Sequence, residues 1–137
     1  MRMLMSYLMA MPGIPCIYYG DEIADVGGND PDNRRVMRFD DLSLEEGNTL
    51  SWTSEWIKLR RSRMSLIYGS CNIEALSHTL LKITREYLGE ESVVYINKSK
   101  ESVEVSADGK SIIAGEAENL QSGMITIPSQ SAICLGN

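Results

Sequence analysis

Carboxylates and guanidinium groups crowd into one part of this chain. Asp21 and Glu22 stand side by side after an apolar run, and the stretch GGNDPDNRRVMRF, residues 27–39, adds Asp30, Asp32, Arg34, Arg35 and Arg38. Adjacent carboxylates invite a reading as an acid and a nucleophile acting on one bond. Groups with those roles flank the bond they cleave, ~5–5.5 Å apart. Neighbours on an extended strand point to opposite faces, so Asp21 and Glu22 cannot flank one bond from the same side. They read as scaffold, binding backbone groups or arginines. Asn29, Asp30, Asp32 and Asn33 supply the oxygen ligands that calcium wants at short spacing. Pro31 and the following Arg34 and Arg35 break the register of a calcium loop, and no metal is expected there. Tyr18 and Tyr19 offer rings for stacking, but as members of an apolar run they read as core.

The elements around these residues are legible from periodicity. Leu4, Tyr7, Leu8 and Met11 recur at helical spacing, methionines fill the other faces, and Pro12-Gly13 ends the helix. A helix apolar nearly all round should be covered on more than one side. Residues 14–19 form a nearly continuous apolar run, as expected for a strand buried on both faces. Residues 20–48 read as a long polar loop, a type of segment that is often functional. A second helix is predicted over 49–64, with Trp52, Trp56 and Leu59 on its apolar face. Lys58, Arg60, Arg61 and Arg63 cluster toward its end and read as a solvated terminus that suits the helix dipole. After Gly69 the pattern changes to short strands, about 72–77, 79–87, 92–97, 102–106, 110–114, 123–127 and 131–135. Val103 and Val105, Ile125 and Ile127, and Ile133 and Leu135 each share a face. This spacing, with turn signals between, predicts a small antiparallel β-sandwich.

Composition narrows the function classes. The chain has 137 residues, 43% hydrophobic and 23% charged, with a net charge of −6. An acidic chain without a basic stripe argues against a nucleic-acid partner. The apolar start is too short to span a bilayer, so no membrane partner is expected, and it lacks a clear signal-peptide cleavage site. The three cysteines and single histidine, His78, show no zinc or disulfide spacing, and Cys16 and Cys134 read as small buried residues. No cofactor is expected.

One helix–strand–helix unit cannot close a core. A lone strand leaves both rows of backbone groups unpaired, and an apolar helix presents an exposed patch. Residues 1–64 therefore pack on the β domain, or are covered by other subunits, or belong to a larger fold; self-association through this piece is expected of the isolated chain.

The run MAMPGIPCIYYGDEI followed by GGNDPDNRRVMRFD resembles the α-amylase family of glycoside hydrolases, in its neopullulanase and cyclomaltodextrinase-like branch. Ala24 replaces a frequent Gly of that family, and Val36 a frequent Pro. The resemblance implies an α+β fragment: the last helix, strand, long loop and helix of a (β/α)8 barrel over residues 1–68, then an all-β C-terminal domain over 69–137. It assigns the catalytic carboxylates to earlier strands, so no catalytic residue is expected in this chain. In such barrels the active site lies at the C-terminal ends of the strands, and the loop 20–48 would rim a sugar cleft. By position, Asp30 and Arg34 match the substrate-binding pair of DPDxR, which bonds glucose hydroxyls. A carboxylate accepting hydroxyl protons and a guanidinium donating in a fixed fork fit that role; the competing reading is that the two only pair with each other. The implied partner is an α-glucan, and the implied function is part of a retaining glycosidase. The alternative is a non-catalytic carbohydrate-binding or structural β module, for which Tyr87 and Tyr95 are the available aromatics.

Overall fold

LLKITREY and EESVVYIN are runs rich in β-branched and aromatic residues, and they form β2 (Leu80–Tyr87) and β3 (Glu90–Asn97). Leu88 and Gly89 join them in left-handed backbone, φ 48 and 85. Two successive residues of that hand make the tight turn whose twist suits a hairpin. The computed structural model describes residues 1–117, 120–121 and 123–137. Around this hairpin assemble β1 (Ser70–Ala75), β4 (Val103–Ser106), β5 (Ser111–Gly115), β6 (Leu120–Gln121), β7 (Met124–Ile127) and β8 (Ser131–Gly136). One sheet has the order β1-β2-β3-β8-β5 and the other β4-β7-β6, with every pairing antiparallel.

The larger sheet is covered on both faces. From β3 and β8, Val93, Tyr95, Ile133 and Leu135 meet Val105, Ile125 and Ile127 of the smaller sheet. The alternate residues, Val94, Ile96, Ala132 and Cys134, face a layer of helices. That period of two explains why every residue of β8 is buried. The expected sandwich is present, with each predicted same-face pair inside it.

The helical layer consists of α1 (Arg2–Ala10), α2 (Leu44–Ser62) and the short α3 (Met64–Tyr68). Met9 and Ala10 of α1, Trp52, Trp56 and Leu59 of α2, and Leu66 of α3 share one core with Ile83, Val94 and Cys134 of the sheet. The Trp52 Nε1–H donates to Ser6 Oγ at 2.9 Å, fastening α1 to α2. Residues 1–64 thus pack on the β domain through α1 and α2. At the junction, a Cβ on Gly69 would lie 2.3 Å from the Ser65 carbonyl oxygen, so only glycine fits where α3 meets β1.

Several expectations are corrected. Residues 14–19 form no strand: Ile14 is 98% exposed, and Cys16, Tyr18 and Tyr19 are exposed as well. The reason is the absence of a partner edge. Among the described residues no strand pairs with this segment, and an unpaired strand has no ladder to hold it. Helix α1 is covered on one side only, leaving Leu4 and Tyr7 exposed. Helix α2 begins five residues earlier than expected, because Ser43 and Glu46 form a capping box. The arginines at its end are not all solvated: Arg60 is buried, 6% exposed. Arg63 donates to the Glu91 carbonyl at 2.6 Å and to Ser92 Oγ at 3.2 Å.

Candidate functional site

The polar loop between α1 and α2 leaves the helical layer at Gly13, whose φ of 103 suits glycine. It runs out as the exposed segment 14–19 and turns back through a 3-10 turn at Asp21–Ile23. Ile23 is buried and anchors that turn to the helical layer. Glycine at position 20, in left-handed backbone, lets the chain reverse, and the Asp25 N–H donates to its carbonyl at 2.9 Å.

Asp21 and Glu22 serve this turn. Asp21 Oδ2 accepts the Tyr18 N–H at 3.2 Å, and Glu22 Oε2 accepts the Gly20 N–H at 2.8 Å. They lie on a 3-10 turn rather than at a strand end, and successive side chains of such a turn diverge by a third of a revolution. Each carboxylate is thus occupied with its own backbone, as the sequence suggested.

A second 3-10 turn, Asp32–Arg34, follows the cis Asp30-Pro31 bond. The Gly28 N–H donates to Asp32 Oδ2 at 2.8 Å, and Arg35 donates from Nε and Nη2 to Oδ1 at 2.9 and 2.5 Å. The Gly28 amide, then Arg35, holds the Asp32 carboxyl below the usual carboxylate range. Asp30 and Arg34 do meet: Arg34 Nη2 donates to Asp30 Oδ2 at 2.5 Å, with side chains 57% and 67% exposed. The remaining acceptor and donor sites of this pair face solvent.

Between the two turns lies an open cleft of about 360 Å³, lined by Tyr18, Tyr19, Asp21, Asp25, Asp32 and Arg35 among others. The Tyr18 and Tyr19 rings are 4.5 Å apart and tilted by 39°. Chemically this is a hydrogen-bonding surface with one aromatic wall, suited to a polar, hydroxyl-bearing ligand rather than an apolar one. Asp30 and Arg34 stand outside that lining. The tyrosines, read as core from their apolar context, are instead exposed and line the cleft. Among the described residues, no group of three His, Cys, Asp or Glu is placed to hold a metal. No described helix is long and apolar enough to cross a membrane.

Two arginines hold the start of this loop: Arg60, expected to be solvated, and Arg85, which the sequence reading did not single out. Arg60 donates to the carbonyls of Met9 (2.5 Å), Met11 (2.8 Å) and Gly13 (2.7 Å). Arg85, fully buried in β2, donates to those of Ala10 (2.6 Å), Gly69 (2.9 Å) and Ser70 (2.9 Å). Burial lowers the pKa of both, since it penalises the charged form. The signal was present: Arg60 follows Trp56 by four on the buried stripe, and Arg85 shares the face of Ile83.

No family model matches the chain. Individual proteins do. A cyclomaltodextrinase of Thermoanaerobacter pseudethanolicus is 32% identical over 127 residues, which cover 90% of this chain and 22% of that protein. A cyclomaltodextrin glucanotransferase of Bacillus sp. (strain 1-1) is 26% identical over 136 residues, 96% of this chain and 19% of its own length. Among solved structures, an Anoxybacillus α-amylase superposes with a TM-score of 0.81 at 29% identity, over 98% of this chain and 31% of that one. The α-amylase of Geobacillus thermoleovorans, solved with acarbose, gives 0.79 at 28% identity, over 98% and 32%. The chain therefore spans about a fifth of the length of the curated relatives it matches. On these matches, made across nearly the whole of its length, the chain belongs to the α-amylase family of glycoside hydrolases and corresponds to a C-terminal portion of its members.

Proposed function

We propose that this chain is the C-terminal part of a retaining glycosidase acting on α-glucans such as starch or maltooligosaccharides. Residues 1–68 are the last helix, strand, loop and helix of its (β/α)8 catalytic barrel, and residues 69–137 the β domain that follows. The chain contributes a loop that rims the substrate cleft and no catalytic carboxylate. The observation that carries this reading is segment 14–19 with the loop behind it. A sequence built for a doubly covered strand stands bare, with Ile14 98% exposed, and leads directly into a polar loop. A strand supplied with barrel neighbours would place that loop at the C-terminal end of the barrel, where such enzymes bind substrate. Asp30 and Arg34 then offer their free lone pairs and N–H groups to glucose hydroxyls. Bare apolar positions such as Ile14 and Leu4 also favour self-association of the isolated chain.

The test is calorimetry and turnover on the full 137-residue chain, purified free of amylase. Maltoheptaose binds weakly, and D30A and R34A each weaken it further; no maltooligosaccharide is hydrolysed. Turnover that an amylase inhibitor abolishes overturns the absence of catalytic groups. Unchanged affinity in both variants overturns their role. The competing module reading is poorly supported, because Tyr95 is buried in the sandwich and leaves only Tyr87, tilted against Tyr68 at 5.9 Å, as an exposed aromatic of the described strands.

A further inference from the structure

The last carbonyls of a helix have no partner within it. Those of α1 and of the chain just beyond it are met by guanidinium groups on other elements. Arg60 of α2 takes Met9, Met11 and Gly13; Arg85 of β2 takes Ala10. Neither arginine has a carboxylate partner among the described residues. A buried charge without a counter-ion is costly unless hydrogen bonds and oriented dipoles replace its water. Here the negative end of the α1 dipole supplies that field. The arrangement is therefore reciprocal: the cations need this helix end, and the helix end needs the cations.

The two arginines are not equivalent. Arg60 reaches past the helix to the carbonyl of Gly13, the residue from which the cleft loop departs. Arg85 reaches across the junction, binding Gly69 and Ser70 as well as Ala10, so one β-domain side chain fixes the end of α1 and the α3–β1 connection together. A planar fork with several donors holds such carbonyls at fixed angles, which a lysine ammonium does not.

We propose that Arg60 and Arg85 are positioning residues for the substrate loop: they transmit the placement of the β domain to residues 13–25, so that the β sheet governs glucan affinity without touching the sugar. This rests on the reading of the loop as a glucan contact. The part concerning loop placement stands on its own geometry.

The experiment uses the full chain labelled with nitrogen-15, as wild type, R60K and R85K. In the wild type the Nη–H signals of Arg60 and Arg85 are resolved and exchange slowly. In R60K the amide signals of residues 11–25 move while those of β3 and β8 keep their positions. In R85K the signals of Ala10, Gly69 and Ser70 move with those of the loop. Maltoheptaose binds about tenfold or more weakly to R60K, since small misplacements of binding groups are costly. A purely structural role predicts the opposite pattern, with shifts spread across the sheet and a lower Tm but no change local to the loop. Folded variants with unmoved loop signals overturn the proposal. So do freely rotating, fast-exchanging Arg60 and Arg85 guanidinium groups in the wild type, a measurement that needs no variant. If wild type does not bind maltoheptaose, the glucan reading fails, and the loop signals alone decide the positioning.

Discussion

The segments IPCIYY (residues 14–19) and SAICLG (β8) are both short runs that set isoleucine and cysteine among mostly apolar neighbours. Their fates are opposite. Ile133 and Cys134 are fully buried in a strand paired on both edges and covered on both faces, whereas Ile14 and Cys16 are exposed in irregular chain. Propensity separates them only in part, through Pro15, which removes one ladder donor from the first segment. What separates them further is whether the same chain supplies two edges and two covering layers. β8 has β3 and β5 beside it, the helices on one face and the smaller sheet on the other. Among the described residues, segment 14–19 has none of these, and an apolar run alone does not bury it.

Thiol chemistry gives the widest separation between the two. Cys16 and Cys71 are exposed, and Cys134 is buried with its thiol pushed up to about 12 by burial. The thiolate is the nucleophile, so Cys134 reacts only through unfolding. Alkylation followed by mass spectrometry is expected to label Cys16 and Cys71 roughly a thousandfold or more faster than Cys134, the ratio following from ordinary folding equilibria. Similar rates for Cys16 and Cys134 would break the comparison, by showing either a covered segment or an open sheet.

Truncating the paired isoleucines sharpens it energetically. Ile133→Ala leaves a cavity between two filled layers and should cost about 2–5 kcal/mol in urea unfolding. Ile14→Ala removes an exposed side chain and should stay within about 0.5 kcal/mol. A large loss at Ile14 would mean that the segment is covered in solution, by a second copy for example, and the loss would then grow with protein concentration.

The same contrast explains what was legible in the sequence. The sandwich was legible because period two is local: Val103 and Val105, Ile125 and Ile127, and Ile133 and Leu135 each announce a face without reference to anything distant. Trp52, Trp56 and Leu59 announce a helix stripe in the same way. Residues 14–19 carry a local strand pattern, but pairing is not local, and among the described residues no strand lies beside them. Arg60 reads as solvated from its charge, although its register four residues after Trp56 marks a buried position; Arg85, on the face of Ile83, carries the same signal. Gly47 and Asn48 look like loop residues and mask the start of α2; the signal that decides it is Ser43 followed three residues later by Glu46. The site was legible in composition and only partly in pairing. Asp30 with Arg34 was one of the two readings offered for that pair, but a string of Asp and Arg does not say that Asp32 takes Arg35, because loop backbone decides that partner.

The smallest effect lies where the two regions meet. Helix α2 carries the stripe that packs on the sheet, and its first turn ends the loop. The Ser43 N–H donates to Glu46 Oε2 at 2.7 Å, the Glu46 N–H donates to Ser43 Oγ at 3.3 Å, and Arg38 of the loop donates to Glu46 Oε1. The Ser43 amide first, then Arg38, lowers the Glu46 pKa to about 2. The folded-state pKa is thus below the ordinary glutamate value of about 4.3. A depressed carboxylate stabilises the folded state above its unfolded pKa and loses that contribution as pH falls through the folded one. The expected signature is a stability decline between about pH 4.5 and pH 2 that Glu46→Gln flattens. The Arg38–Glu46 pair is partly open to solvent, so added salt should shrink the Arg38 share and leave the backbone share. Ser43→Ala should cost about 0.5–2 kcal/mol, the range for losing a helix N-cap. If that loss appears in amide exchange at the first turn of α2 but not at β3 or β8, the end of the loop is fixed by local capping. If it spreads into the sheet, the loop and the sandwich unfold as one unit, and exposure alone does not divide this molecule into a held part and a bare one.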